Sequence, residues 1–169
     1  MPNSQNILAI DSGYKNVGVS VATPDKKILH VSIIERAKVD IASILSIKNI
    51  VTNIYDKYNV GTVIIEDYKA GIDNLEHTYW HIANIWSIAG QFEADEVILA
   101  NVNVWQKMLS NKHKLKVINK QIIKALCLQY FTFDNGIVFD RKRRYHDSDA
   151  AGMIIWYLET SRINSQLRV

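Results

Sequence analysis

The sequence predicts an α/β domain on a five-stranded mixed sheet, three antiparallel strands followed by two parallel ones, with helices flanking it. Three observations carry this. Short apolar runs separated by turn residues fill the first 34 positions, the pattern of strands joined by hairpins. From Ile41 onward, long stretches of helical periodicity alternate with short apolar runs. A strand, helix, strand order in one sheet returns the second strand parallel to the first.

The elements follow in order. Ile7 to Asp11 reads as a buried strand that breaks at Ser12-Gly13-Tyr14-Lys15-Asn16, and Val17 to Ala22 alternates with period two, so a hairpin joins them. Thr23-Pro24-Asp25-Lys26-Lys27 is a second turn, leading into a third strand from Ile28 to Ile34. Ile41 to Tyr58 carries Ile44, Leu45, Ile47, Ile50, Val51, Ile54 and Tyr58 at helical spacing, with Asp40 as its N-cap. Val60 to Asp67 is then a central strand, parallel to the first. A helix capped by Asp73 or Asn74 and running to about Glu93 has two apolar faces. One includes Tyr79, Ile82 and Trp86, and its partner is either the rest of this core or a second subunit. Glu96 to Ala100 is the fifth strand, Val102 to Leu109 a short helix, Asn119 to Phe131 a longer one, and the last helix begins near His146.

With 169 residues, 48% of them hydrophobic and 22% charged, the chain has the size and composition of one globular domain, 1–169. No apolar run is long enough to span a membrane, and the polar opening lacks the regions of a signal peptide, so an intracellular soluble protein is expected. The single Cys127 sits within an apolar helical pattern as a small core residue, which excludes an internal disulfide. The net charge of +3 is unevenly spread. No acid lies between Glu96 and Asp134, where Lys107, Lys112, Lys114, Lys116, Lys120 and Lys124 fall, and Arg141, Arg143 and Arg144 follow. Such a basic surface suits phosphates.

Acids mark the candidate site. Asp11 and Glu66 end neighbouring parallel strands at the same edge of the sheet, and two carboxylates so placed raise each other's pKa unless a cation sits between them. Taken alone, Asp11 is equally a turn-initiating aspartate beside Gly13. At the head of the last helix, His146 and Asp149 are three apart and share a face, whereas Asp147 cannot share it and is left for capping or solvent. Acids in a first helical turn also favour the helix dipole, so the motif gains weight only from the other carboxylates. Lys120, in the first turn of its helix, opposes the dipole and is either a solvated lysine or one held to meet an anion.

This order of elements, with acids at Asp11, at Glu66 and on the last helix, resembles the ribonuclease H-like fold. Within it the chain resembles the RuvC family of Holliday junction resolvases. The resemblance rests on Ile10-Asp11-Ser12-Gly13, Ile64-Ile65-Glu66, Lys120 at the head of the penultimate helix, and His146-x-x-Asp149-Ala150. Lys15-Asn16 adds a likeness to the phage, poxviral and mitochondrial branches. Many members of the family carry aspartate where this chain has His146.

The resemblance implies a metal-dependent endodeoxyribonuclease that, as a homodimer, makes paired symmetric nicks in a four-way DNA junction. A phage-type nuclease of relaxed selectivity on Y and fork structures is the close alternative. A non-catalytic domain that binds branched DNA is a third, against which the intact set of acids speaks. Asp11, Glu66, His146 and Asp149 suit two divalent cations about 4 Å apart. Oxygen-rich ligands indicate Mg²⁺ or Mn²⁺, with the imidazole shifting the balance toward Mn²⁺. By the same resemblance Lys120 stabilises transition-state charge, with Lys107 a second candidate, and Tyr68 stacks on junction bases or is a rim tyrosine. Tyr79, Ile82 and Trp86 then belong to the dimer interface.

Overall fold

The computed structural model describes residues 5–67, 75–92, 96–140 and 145–166. Strands β1 (Asn6–Asp11), β2 (Asn16–Ala22) and β3 (Lys27–Glu35) form the antiparallel meander. Helix α1 (Ile41–Lys57) leads to β4 (Val60–Asp67), which pairs parallel with β1. Helix α2 (Leu75–Ala89) leads to β5 (Glu96–Asn101), parallel to β4. Three helices close the chain: α3 (Val102–Lys112), α4 (Lys120–Tyr130) and α5 (His146–Gln166).

The sheet has six strands in the order β5-β4-β1-β2-β3-β6, one more than the sequence predicts. The addition, β6, is only Thr132–Phe133, paired parallel with Lys27 and Ile28 at the open edge of β3. Two residues are too short for any period to register, and their pairing depends on the adjacent strand.

Local chemistry explains the helix boundaries. Asp40 caps α1 in a reciprocal box, its side chain accepting from the Ser43 N–H at 2.8 Å while the Ser43 hydroxyl accepts from the Asp40 N–H at 3.1 Å. Asn119 caps α4 by accepting from the Ile122 N–H at 3.0 Å. This makes Lys120 the first helical residue.

Strand alternation divides the core into two layers. On one face Leu8, Ile10, Val17, Val19, Val63 and Ile65 pack with Ile47, Val51 and Ile54 of α1 and Ile85 and Ile88 of α2. On the other, Ile7, Ala9, Ile64 and Ala100 pack with Trp105, Leu109, Ile123, Leu126, Met153 and Ile154 from α3, α4 and α5. Continuing the odd phase of β1 and the even phase of β4 puts Asp11 and Glu66 on the second face, under α5. On β2 that face shows Gly18, Ser20 and Ala22, and α5 answers with Ala150, Ala151 and Gly152, all small, so the helix approaches the sheet closely. A Cβ at Gly18 would lie 2.1 Å from the His146 carbonyl oxygen, and only glycine fits beneath the start of α5.

Candidate active site

The β1–β4 register pairs Ile10 with Ile65, so the next residues, Asp11 and Glu66, end their strands side by side. The start of α5 lies across them. It is fastened by the Ser20 hydroxyl, which donates to the Asp147 carbonyl at 2.7 Å, and by the Asp149 N–H, which donates to the Tyr145 carbonyl at 2.8 Å. Tyr145 adopts a left-handed φ of 59°, costing about 1 kcal/mol for a residue with a Cβ, and this sharp turn brings His146 over the end of β1.

The four predicted groups and the lysine converge. His146 Nδ1 and Asp11 Oδ2 are 2.7 Å apart, and Lys120 Nζ stands 3.2 Å from Asp149 Oδ2. Asp11 and Asp149 are buried, whereas Lys120 is half exposed and open to solvent on its outer side. Burial and the adjoining Asp11 and Asp149 push the Glu66 carboxyl up to about 9, against the pull of a hydrogen bond from Trp105. Burial and Asp11 raise Asp149 to about 6, opposed by Lys120 and His146. For Lys120 the largest single influence, burial, disfavours the ammonium, but Asp149, Asp11 and Glu66 together outweigh it and hold its pKa above the ordinary value. Three carboxyl groups thus share one buried corner with too little positive charge to ionise them all.

That donor set suits a hard divalent cation. The second oxygen of Asp149, Oδ1, is buried and has no hydrogen-bond partner among the described residues. Among the described residues, no group of three or more His, Cys, Asp and Glu side chains stands as a ready-made cage for a metal ion. Instead, His146 and Lys120 each occupy one carboxylate oxygen of Asp11 and Asp149. His146 already uses Nδ1 on Asp11, so a metal would have to take the other ring nitrogen, Nε2.

Solved structures share this architecture. Thermus thermophilus RuvC in complex with a Holliday junction substrate matches with a TM-score of 0.68 at 14% identity, over 94% of this chain and 96% of that one. A second structure of Thermus thermophilus RuvC gives 0.67 at 13%, with the same coverage. The yeast mitochondrial Holliday junction resolvase gives 0.62 at 14%, over 98% of this chain and 85% of its own. The chain has the RuvC fold. No protein-family model matches the sequence, and no curated protein matches it, so the likeness is carried by structure.

On this RuvC fold the other predicted residues divide. Lys107, Lys114 and Lys116 are exposed. Lys112 is drawn into an ion pair with Glu159, and Lys124 donates to the Asp140 carbonyl at 2.7 Å, tying down the segment ahead of α5. Tyr79, Ile82 and Trp86 stand out from α2, 66%, 45% and 65% exposed. Tyr68, Arg141, Arg143 and Arg144 lie outside the described residues.

Sequence reasoning missed two contributors and half-placed a third. Trp105, fully buried, donates its indole N–H to Glu66 Oε1 at 3.3 Å and packs against Gly152 of α5. An aromatic at a core position carries no mark of that second task. Gly18 makes room for the α5 terminus, which only the folded contact reveals. Asp147 does point away from the other acids, as its place on the helix requires, but it is buried and not solvated. Its carboxylate accepts from the Asp140 N–H at 2.6 Å and the Ser148 N–H at 2.8 Å.

Proposed function

We propose that this protein is a structure-selective endodeoxyribonuclease that resolves four-way DNA junctions by paired symmetric nicks. The observation that carries the reading is the convergence of Asp11, Glu66, Asp149, His146 and Lys120 at the carboxyl end of β1 and β4 on a RuvC fold. Two of the solved proteins with this fold are described by the same substrate, a Holliday junction.

In this reading Asp11, Glu66, Asp149 and His146 Nε2 hold Mg²⁺ or Mn²⁺. The metal, when bound, supplies an activated water and neutralises charge on the leaving 3′ oxygen. The protein does the rest. Trp105 holds one oxygen of Glu66, and His146 Nδ1 orients Asp11, so each carboxylate enters the reaction with a fixed aspect. Lys120, whose ammonium is secured by the surrounding acids, exchanges part of its contact with Asp149 for the pentacoordinate phosphorus centre and stabilises its added negative charge. Lys107, Lys114 and Lys116 attract the phosphate backbone, with Arg141, Arg143 and Arg144 adding charge before α5 and Tyr68 stacking on a base. Two subunits joined through Tyr79, Ile82 and Trp86 present two such sites to one junction, which symmetric nicking demands.

The test is cleavage of a synthetic four-way junction against a linear duplex of the same sequence, with Mg²⁺ or with EDTA. Paired nicks in the junction arms, dependent on metal, are expected. Equal cutting of duplex, or cutting undiminished by EDTA, would overturn the reading, and equal cutting of Y and fork substrates would favour the relaxed debranching nuclease.

A further inference from the structure

We propose that Arg36 is a positioning residue for the strand cut, a buried clamp that holds the turn after Asp11 in the shape the active site needs. The inference rests on the nuclease reading above. Arg36 follows the last residue of β3 and is only 8% exposed. Its Nη2 donates to the Gly13 carbonyl at 2.7 Å and its backbone N–H donates to the Lys15 carbonyl at 2.9 Å, so one residue grips the β1–β2 turn at two points.

That turn adjoins three members of the site. Asp11 immediately precedes it. The Ser12 hydroxyl donates to the Glu66 carbonyl at 3.3 Å, linking the ends of β1 and β4. Gly13 lies against the imidazole of His146, since a Cβ there would be 3.0 Å from His146 Cε1. A turn that drifted would carry Asp11 with it and remove the surface on which His146 rests.

Stability alone does not explain an arginine here. Among the described residues its buried Nε and Nη1 have no hydrogen-bond partner, and Arg36 makes no ion pair. Burial also pushes the guanidinium pKa down, with Tyr14 opposing. A buried cation with two unused donors is a cost, and an unbranched apolar side chain would fill the same space without it. What methionine cannot do is donate to Gly13. The arrangement is that of a residue kept for geometry at the expense of folding energy.

The experiment compares wild type, Arg36→Met and Arg36→Lys in three measurements: single-turnover cleavage of a four-way junction, junction affinity, and amide hydrogen exchange across Gly13–Asn16. For Arg36→Met the melting temperature should hold or rise, junction affinity should be unchanged, turn exchange should speed up, and the cleavage rate should fall about ten- to a hundred-fold. Arg36→Lys, with one shorter donor, should lie between it and wild type. A wild-type cleavage rate in Arg36→Met would overturn the proposal, as would lost affinity with an unchanged rate at saturation, the sign of a phosphate contact. Should Arg36→Met fail to fold, wild-type values of both rate and exchange in Arg36→Lys would overturn it. A wild type that cuts no junction would sink the nuclease reading but leave the exchange comparison standing.

Discussion

Two regions of this molecule reverse the usual placement of polar and apolar groups, in opposite senses. At the carboxyl end of β1 and β4, Asp11, Glu66 and Asp149 crowd into a buried corner, two of them pushed well above the ordinary carboxylate range. On the outer face of α2, Tyr79, Ile82 and Trp86 stand in solvent. Folding energy rewards neither arrangement. The first needs positive charge to complete it, the second an apolar surface. The same helix makes the contrast sharp, because Ile85 and Ile88, one turn around, are buried in the core.

The largest expected effect breaks the first region. Asp11→Asn, Glu66→Gln or Asp149→Asn should each lower cleavage by at least about a thousand-fold, since each removes one oxygen ligand from a site that has few, while junction affinity survives on the lysine surface. The metal-free protein should be no less stable for the change, because a carboxyl in a crowded buried corner gives way to a neutral amide of nearly the same shape. Activity near wild type in any of the three would remove that residue from the site.

The second region should break independently. Tyr79→Glu with Trp86→Glu is expected to convert dimers to monomers at micromolar concentration, measured by sedimentation, with the monomer still folded because neither side chain contributes to the core, and its melting temperature lower only by what association adds. Cuts by such a monomer should lose their pairing. A wild type that is itself monomeric at that concentration would count against symmetric nicking.

A smaller effect sets the acids against pH. Asp149 and Glu66 titrate near 6 and near 9 in the folded protein, and unfolded carboxyls titrate near about 4. Between those values the unfolded chain holds fewer protons than the folded one, so stability falls as pH rises through about 4 to 9. The metal-free melting temperature should therefore decline across this window, and Mg²⁺ should recover most of the loss at pH 8. A flat profile without metal would mean that the corner admits water freely.

Much of this was legible in the sequence, and what was not has a common cause. Asp11 and Glu66 could be placed because strands alternate and a strand-helix-strand unit returns parallel, rules that act over short distances along the chain. Asp40 could be read as a cap for the same reason. Gly18, Trp105 and Arg36 could not, because each matters through an atom far away in sequence: the His146 carbonyl, the Glu66 carboxylate and the Gly13 carbonyl. The strand β6 escaped similarly, since Thr132–Phe133 becomes a strand only beside Lys27 and Ile28. Asp147 was half legible. Helical spacing turns it from the other acids, but the Asp140 N–H that covers it lies outside the helix, where helical spacing says nothing.

Asp147 and Asp149 provide the finest test, for they lie two residues apart, are both buried, and differ in what their oxygens meet. Each Asp147 oxygen accepts a backbone N–H, from Asp140 and from Ser148, whereas Asp149 has one oxygen on Lys120 and one without a partner among the described residues. In Asp147→Asn an amide N–H₂ must replace one acceptor and face a backbone donor, which costs about 1–3 kcal/mol. In Asp149→Asn the amide can keep its oxygen toward Lys120 and fill the unpartnered position with nitrogen, so folding loses little while metal binding loses a ligand. The two changes should therefore move apart: Asp147→Asn lowers the melting temperature by a few degrees and leaves the rate per folded molecule near wild type, and Asp149→Asn does the reverse. Thermal melts and single-turnover cleavage on both proteins decide it. An inactive but stable Asp147→Asn beside an active Asp149→Asn would exchange the roles assigned to the two acids and, with them, the face of α5 that meets the DNA.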